Sequence, residues 1–321
     1  MMNTKLAEAV KILSAQKSVI VILAIFFAML FFKTPFYTSY NLIDLINSNS
    51  TLVVIGLGFT VVLIAGGVDL SVGGIMVVSG IIAIKLINLG VSIPIAVSVS
   101  ILFGAAIGAI NGYLSVYQNT EPFIITLGMG VLLTGVAQQL TTARPISCTN
   151  PDFVNLSNYK VFGVIPIMVL VMIAVFIVIN WLLRSTSFGR NCYAIGGDFE
   201  VAKYSGISVF RIKSLTYVIS GVTAALAGVM LSSWVNSGNS TYGDTTALYI
   251  ASAVVVGGTS FAGGIGGAFK SLLGVIFIGV LSNAFNMLQI DSYIQQLLLG
   301  LFIVGIIWLD CYARKVKRET V

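Results

Sequence analysis

Apolar residues run through this chain in long blocks, and the polar positions between them are few and short. The uninterrupted or nearly uninterrupted stretches cover 18–32, 51–65, 70–88, 93–117, 122–143, 163–183, 212–234, 248–262, 268–288 and 294–311. A membrane helix needs about 20 mainly apolar residues to cross ~30 Å of hydrocarbon, so the pattern predicts an all-α polytopic membrane protein with about ten transmembrane helices. Glycine breaks the pattern around 66–69 and 263–267, where broken or re-entrant helices are expected. Lys33, Thr34 and Pro35 follow the first stretch without a small-residue cleavage site, which favours a retained span over a signal peptide.

Composition closes off a soluble fold. Of 321 residues, 57% are apolar and 9% charged, and the mean hydropathy is +1.02. A soluble globule carries roughly 25% charged residues to dress its surface. The lipid bilayer is therefore the solvent. The 33 glycines suit membrane helices that pack closely. Histidine is absent, which removes His-based acid/base chemistry and His metal sites. Cys148, Cys192 and Cys311 show no C-x-x-C spacing, so neither a disulfide framework nor a zinc site is indicated.

The net charge of +6 follows from topology. Thirteen basic residues fall on one side: Lys5, Lys11, Lys17, Arg184, Arg190, Lys203, Arg211, Lys213, Lys270, Arg314, Lys315, Lys317 and Arg318. The other side holds Lys33, Lys85, Arg144 and Lys160. This positive-inside asymmetry predicts that both termini are cytoplasmic, which needs an even number of spans. No nucleic-acid partner is expected, because the basic residues are divided among short segments and form no stripe. The chain reads as one transmembrane domain, 1–321, with a tail at 1–17, a cytoplasmic segment at 184–213 and a second tail at 312–321.

Candidate chemistry is sparse. The ionisable residues in or near spans are Asp69, Lys85, Lys270 and Asp310, and the last three sit near span ends where they can reach water. Asp69 lies in a glycine-flanked break, Gly66 to Gly74. There Asp69 and Ser71 can cap a helix restarting near residue 70, or Asp69 can contact a substrate. A second break runs from Gly257 and Gly258 through Ser260 to Gly263, Gly264 and Gly267. Lys270-Ser271 after it invites a phosphate-loop reading, but Phe269 stands where that loop needs glycine. This chain is expected to hold no cofactor, so any ATP and magnesium belong to a separate chain. Asn49, Thr126, Gln138, Asn283 and Asn286 are polar within spans and are candidates either for a pathway or for helix–helix hydrogen bonds.

In the cytoplasmic segment, Asp198 is a suitable N-cap, Glu200 suits the first turn and Gly206 supplies a left-handed stop. A two-turn helix over about 199–205 is predicted, too short to stand alone. Phe199, Ala202 and Lys203 form one face at helical spacing, aimed either at a partner protein or at the chain's own membrane domain.

At these residues the chain resembles a known family. Gly67-Val-Asp-Leu-Ser-Val-Gly73, Phe188-Gly-Arg190, Tyr193-Ala-Ile-Gly-Gly197 with Glu200 and Ala202, Ser205-Gly-Ile207 and Gly257-Gly-Thr-Ser-Phe-Ala-Gly-Gly264 are similar to motifs of bacterial ABC sugar-importer permeases. These are of the ribose/galactoside/xylose type, related to branched-chain amino-acid permeases. The motifs fall in order from about residue 40 to 311. The resemblance implies a non-catalytic subunit of the bacterial inner membrane that pairs with itself or a related permease. It implies a periplasmic or lipid-anchored binding protein that delivers a sugar, and two cytoplasmic ATPase subunits. It also implies that Asp198, Phe199, Glu200, Ala202, Lys203 and Gly206 form the coupling helix docked on the ATPase. Two departures stand out: Ala247-Leu248-Tyr249 replaces a common Glu-Leu-Asp, which bears on the substrate, and Asp198 replaces a common Asn. The same architecture carrying a nucleoside or a sugar-like signal is the nearest alternative. An ion-coupled carrier would rest on Asp69 alone, and a membrane enzyme would need a catalytic set that the residues do not supply.

Overall fold

The computed structural model describes residues 35–118, 120–163 and 165–298, with isolated positions at 26, 28, 29, 300, 301, 304 and 305. The tails at 1–17 and 312–321, and most of the expected spans 18–32 and 294–311, lie outside the described residues. In chain order the helices are α1 Ser39–Ile64, α2 Val72–Asn88, α3 Ile93–Gly112, α4 Pro122–Thr141, α5 Pro151–Asn158, α6 Ile167–Ser185, α7 Ser187–Gly197, α8 Phe199–Tyr204, α9 Val209–Val235, α10 Thr246–Val256 and α11 Ala268–Met287. A π-helical turn, Tyr113–Tyr117, prolongs α3. An antiparallel hairpin pairs β1 Lys160–Val161 with β2 Ile165–Pro166. Among the described residues, α1, α3 with its π turn, α4, α6, α9 and α11 are each long and apolar enough to cross a membrane. The protein is an all-α polytopic membrane protein.

Several expected stretches change length. α1 begins at Ser39 rather than near 51, because several polar side chains of its first half bond back to carbonyls of the helix itself. Asn49 Nδ2 donates to the Leu45 carbonyl at 2.8 Å and Ser50 Oγ to that of Ile46 at 2.7 Å. Asn41 Nδ2 donates to Asn283 Oδ1 at 3.1 Å, and Asn283 Nδ2 returns a bond to Asn41 Oδ1 at 2.9 Å, joining α1 to α11. The stretch 248–262 yields only α10, whose 11 residues end at Val256, with Gly257 as the C-cap. At 1.5 Å per residue such a helix covers about half of the hydrocarbon, so this element is re-entrant in length. Between the apolar stretches 122–143 and 163–183 the chain folds into α5 and the hairpin.

α1 and α9 are mostly buried, whereas α3, α4 and α6 expose most of their apolar surface, as helices facing lipid do. The α3–α9 seam brings two backbones into contact. A methyl group on Gly104, Gly108 or Gly221 would collide with a carbonyl of the facing helix. One end of the bundle gathers both glycine breaks and the 186–208 segment. At the other end, Ile146 bridges Gly238, Cys148 N–H donates to Asn236 Oδ1 at 3.1 Å, and Asn88 Nδ2 donates to the Ser147 carbonyl at 2.9 Å.

Gly221→Val is expected to overpack this seam by about 1–3 kcal/mol and to lower the melting temperature of the purified protein. Gly128→Val on α4, where a side chain meets open space, is expected to melt like wild type. Equal melting of the two variants would contradict the backbone contact.

Candidate functional site

The first break begins where α1 ends at Ile64 and Gly66 takes a positive φ of +70°. The chain then crosses under the bundle to Asp69, which is fully buried. Burying a carboxylate is costly unless it is hydrogen-bonded, and both oxygens are met. Asp69 Oδ1 accepts from the Ser71 amide at 3.1 Å and from Ser71 Oγ at 2.6 Å, and Oδ2 accepts from Ser220 Oγ on α9 at 2.7 Å. Asn111 Nδ2 on α3 donates to Ser71 Oγ at 2.8 Å. Ser71 occupies the N-cap position of α2, but its side chain makes no capping bond. The expected cap is thus corrected for Ser71: its hydroxyl ties the break to Asn111 of α3, while Asp69 ties it to Ser220 of α9. Gly67 packs under the hydroxyl of Tyr217, a fully buried residue of α9.

The second break closes on itself. Gly258 has φ +103°, Gly263 +85° and Gly264 +70°, values that favour glycine. The Ser260 amide donates to the Ile265 carbonyl at 2.8 Å, and Ser260 Oγ accepts from the Ala262 amide at 3.0 Å. Gly257 lies against the Lys270 carbonyl, where a side chain would not fit.

The segment between α6 and α9 folds into two helices. Thr186 Oγ1 accepts from the Gly189 amide at 3.2 Å and starts α7, an element not anticipated from the apolar pattern. Asp198 Oδ1 accepts from the Val201 amide at 3.0 Å and starts α8, as expected. Gly206 with φ +81° ends it, also as expected. Ala202 departs from the expected outward face. It is buried with Ile195 and Val209 and anchors α8 to α7 and to the start of α9. The surface that α8 presents is instead Phe199, Glu200, Val201, Lys203 and Tyr204, of which Tyr204 is 85% exposed.

These three regions, far apart in the chain, meet at one point. The Gly264 amide donates to the Ile64 carbonyl at 2.9 Å. Gly196 of α7 lies so close to the Ile64 carbonyl and the Gly264 amide that no side chain fits between them. A methyl group on Gly263 would meet the Gly66 and Gly196 Cα atoms, each at 3.0 Å. Tyr193 Oη donates to the Gly266 carbonyl at 3.1 Å. The helical pair α7–α8 is therefore fastened by backbone contact to both breaks at once.

A partly open groove of about 310 Å³ lies elsewhere, among α2, α4 and the irregular stretch before α10. Leu70, Gly74, Phe123, Thr134, Asp244 and Ala247 line it. Irregular backbone at membrane depth is tolerated only against protein or along a cavity, and here Gly243 packs on Gly73 while Asp244 faces the groove. Thr134 and Asp244 were not singled out from the sequence; a carboxylate just before a short apolar helix was the available signal. Of the polar candidates within spans, Thr126 Oγ1 donates to the Pro122 and Val68 carbonyls at 2.8 and 3.3 Å. Asn286 Oδ1 accepts from Gln295 Nε2 at 2.9 Å. Together with the bonded Asn49 and Asn283, these serve packing; Gln138 is exposed on α4.

Residues 41–307 match the family described as "Branched-chain amino acid transport system / permease component". The ribose import permease protein of Haemophilus influenzae is 33% identical over 306 residues, 94% of each chain. The D-allose transport system permease protein of Escherichia coli is 35% identical over 292 residues, 90% of this chain and 89% of that one. The L-arabinose transport system permease protein of the same organism is 31% identical over 301 residues, 93% and 91%. No solved structure matches.

Cys192 of α7 is fully buried, and burial pushes its thiol up to about 12 by disfavouring the thiolate. The thiol therefore stays protonated across the physiological range and ionises only far above it. In a Cys311→Ser background at pH 8, mass mapping after maleimide treatment is expected to find Cys192 unmodified until the protein is denatured. Modification in the folded protein would contradict the seating of α7.

Proposed function

Because this chain belongs to the branched-chain amino acid transport system permease family, we propose that it is the translocation subunit of an ATP-driven importer for a monosaccharide. The curated relatives are permeases for ribose, allose and arabinose. The single observation that carries the mechanism is the junction of Gly66, Gly196, Gly263 and Gly264. It fastens an outward-facing helix directly to the two interruptions of the membrane helices.

In this reading the junction end of the bundle faces the cytoplasm, both termini lie there, and ten spans or half-spans cross the membrane. The distribution of charge supports it: Arg184, Arg190, Lys203, Arg211, Lys213 and Lys270 belong to the junction end, against Lys85, Arg144 and Lys160 at the other. α8 is the coupling helix, and Phe199, Glu200, Val201, Lys203 and Tyr204 meet a separate ATPase chain. Closure of the ATPase dimer on ATP moves α7–α8, and the junction transmits that movement to Ile64 and Gly264. The halves of a permease dimer then rock between outward- and inward-open states. A binding protein delivers the cargo, and the groove at Thr134, Asp244 and Ala247, facing a second permease, forms part of the path.

A second reading of the cargo rests on Ala247. Many sugar permeases carry an acidic residue there, and here an alanine lines the groove. That favours a less hydroxyl-rich solute, such as a nucleoside or a sugar-like signal, within the same architecture.

Reconstitution with the cognate ATPase and binding protein tests the function. ATP-dependent uptake of a monosaccharide is expected from the full assembly and none from the permease alone. Glu200→Arg is expected to cut copurification with the ATPase about tenfold or more, as loss of a central interface contact does, while insertion is normal. Uphill uptake by the lone permease, or full ATPase recovery by Glu200→Arg, would overturn the proposal.

A further inference from the structure

A second groove, of about 370 Å³, opens between α3 and the first turns of α9 at the junction end. Its rim is aromatic. Tyr113 and Tyr117, both on the π turn, stack at 5.7 Å between ring centres, and Tyr117 stacks on Phe210 at 5.6 Å. These rings are about half exposed. Tyr and Trp gather at this depth in membrane proteins because their rings suit the boundary between headgroups and acyl chains. π turns interrupt regular helices, often at functional positions.

The groove is polar at one end and apolar along its length. Arg211 and Ser214 stand at the polar end, and Ala109, Leu215 and Val218 form the walls deeper in. From Arg211 to Val218 the helix rises about 10 Å, the distance from a phosphate to the upper acyl chain. The Arg211 side chain is exposed, and among the described residues it has neither an ion pair nor a hydrogen bond. Its neighbour Lys213 is partly buried and does not line the groove. An unpaired guanidinium at an aromatic rim above an apolar wall is complementary to one kind of molecule.

We propose that this groove binds an anionic phospholipid of the cytoplasmic leaflet. Arg211 meets the phosphodiester; Ser214, whose hydroxyl donates to the Gly112 carbonyl at 3.4 Å, stands beside it, and an acyl chain lies along Ala109, Leu215 and Val218. Only the leaflet rests on the orientation given above; the selectivity for an anionic headgroup does not. The groove adjoins the root of α8, since Phe210 follows Val209, which packs on Ala202. A bound lipid therefore braces the helix that carries the coupling surface.

The test is lipid retention by the purified full-length permease, followed by native mass spectrometry during titration with phosphatidylglycerol or phosphatidylcholine of the same chain length. Because retention does not depend on transport or on membrane orientation, its outcome is independent of the proposed function. Wild type is expected to prefer phosphatidylglycerol, and Arg211→Ala to lose about fivefold of that preference, the effect of one basic residue near a lipid surface. Arg211→Lys should keep most of it, and Arg144→Ala at the opposite end all of it. Equal retention by wild type and Arg211→Ala, or no headgroup preference in wild type, would overturn the proposal. So would competition by glycerol phosphate as effective as the lipid, which would mark a free-anion site. Efficient crosslinking of Ser214→Cys between two permease copies would show that protein covers the groove, and would overturn it equally.

Discussion

The rest of the structure depends on one close approach of three backbones. Gly196, Gly66 and the Gly263–Gly264 pair touch where side chains cannot be accommodated, and the Gly264 amide bonds directly to the Ile64 carbonyl. Packed interiors do not deform smoothly, and a contact without intervening side chains leaves little slack to absorb a displacement. Side chains at these positions would separate α7 from both breaks, and a movement of α8 could be lost in rotamer changes. With glycine, Gly196 of α7 meets the end of α1 and the break after α10 through main-chain atoms.

The buried polar layer beneath the junction gives that contact something firm to act upon. Asp69 has no basic partner among the described residues; it is held by Ser71 and Ser220, and Asn111 completes the chain of bonds. The first break is thereby tied to α3 and α9, the pair whose own backbones touch at Gly104, Gly108 and Gly221. Two glycine contacts and one hydrogen-bonded carboxylate thus connect the α7–α8 hairpin to the helices that line the bundle's centre.

Much of this was legible in the sequence, and the reasons are local. Asp198 and Gly206 bracket α8 because capping and left-handed stops depend on one or two residues. The stretches at 66–74 and 257–267 are breaks because Gly66, Gly258, Gly263 and Gly264 take left-handed backbone that favours glycine. What was not legible depends on neighbours distant in the chain. The polar first half of α1 falls outside the apolar stretch 51–65 and joins the bundle through the pairing of Asn41 with Asn283. Ala202 reads as part of an outward face until Ile195 and Val209 are seen to cover it. α5 and the hairpin at 160–166 contain too few residues to show a period, and Phe153 becomes an anchor only because α9 passes beside it. That Gly66, Gly196 and Gly264 meet could not be read from their order in the chain.

The most direct measurement is the number of solute molecules imported per ATP hydrolysed by the reconstituted assembly carrying Gly196→Ala. A single methyl group there must displace either Ile64 or Gly264. ATPase binding and hydrolysis are expected to persist while solute moved per ATP falls steeply. An unchanged ratio in a fully assembled Gly196→Ala transporter would contradict a mechanical role for the junction.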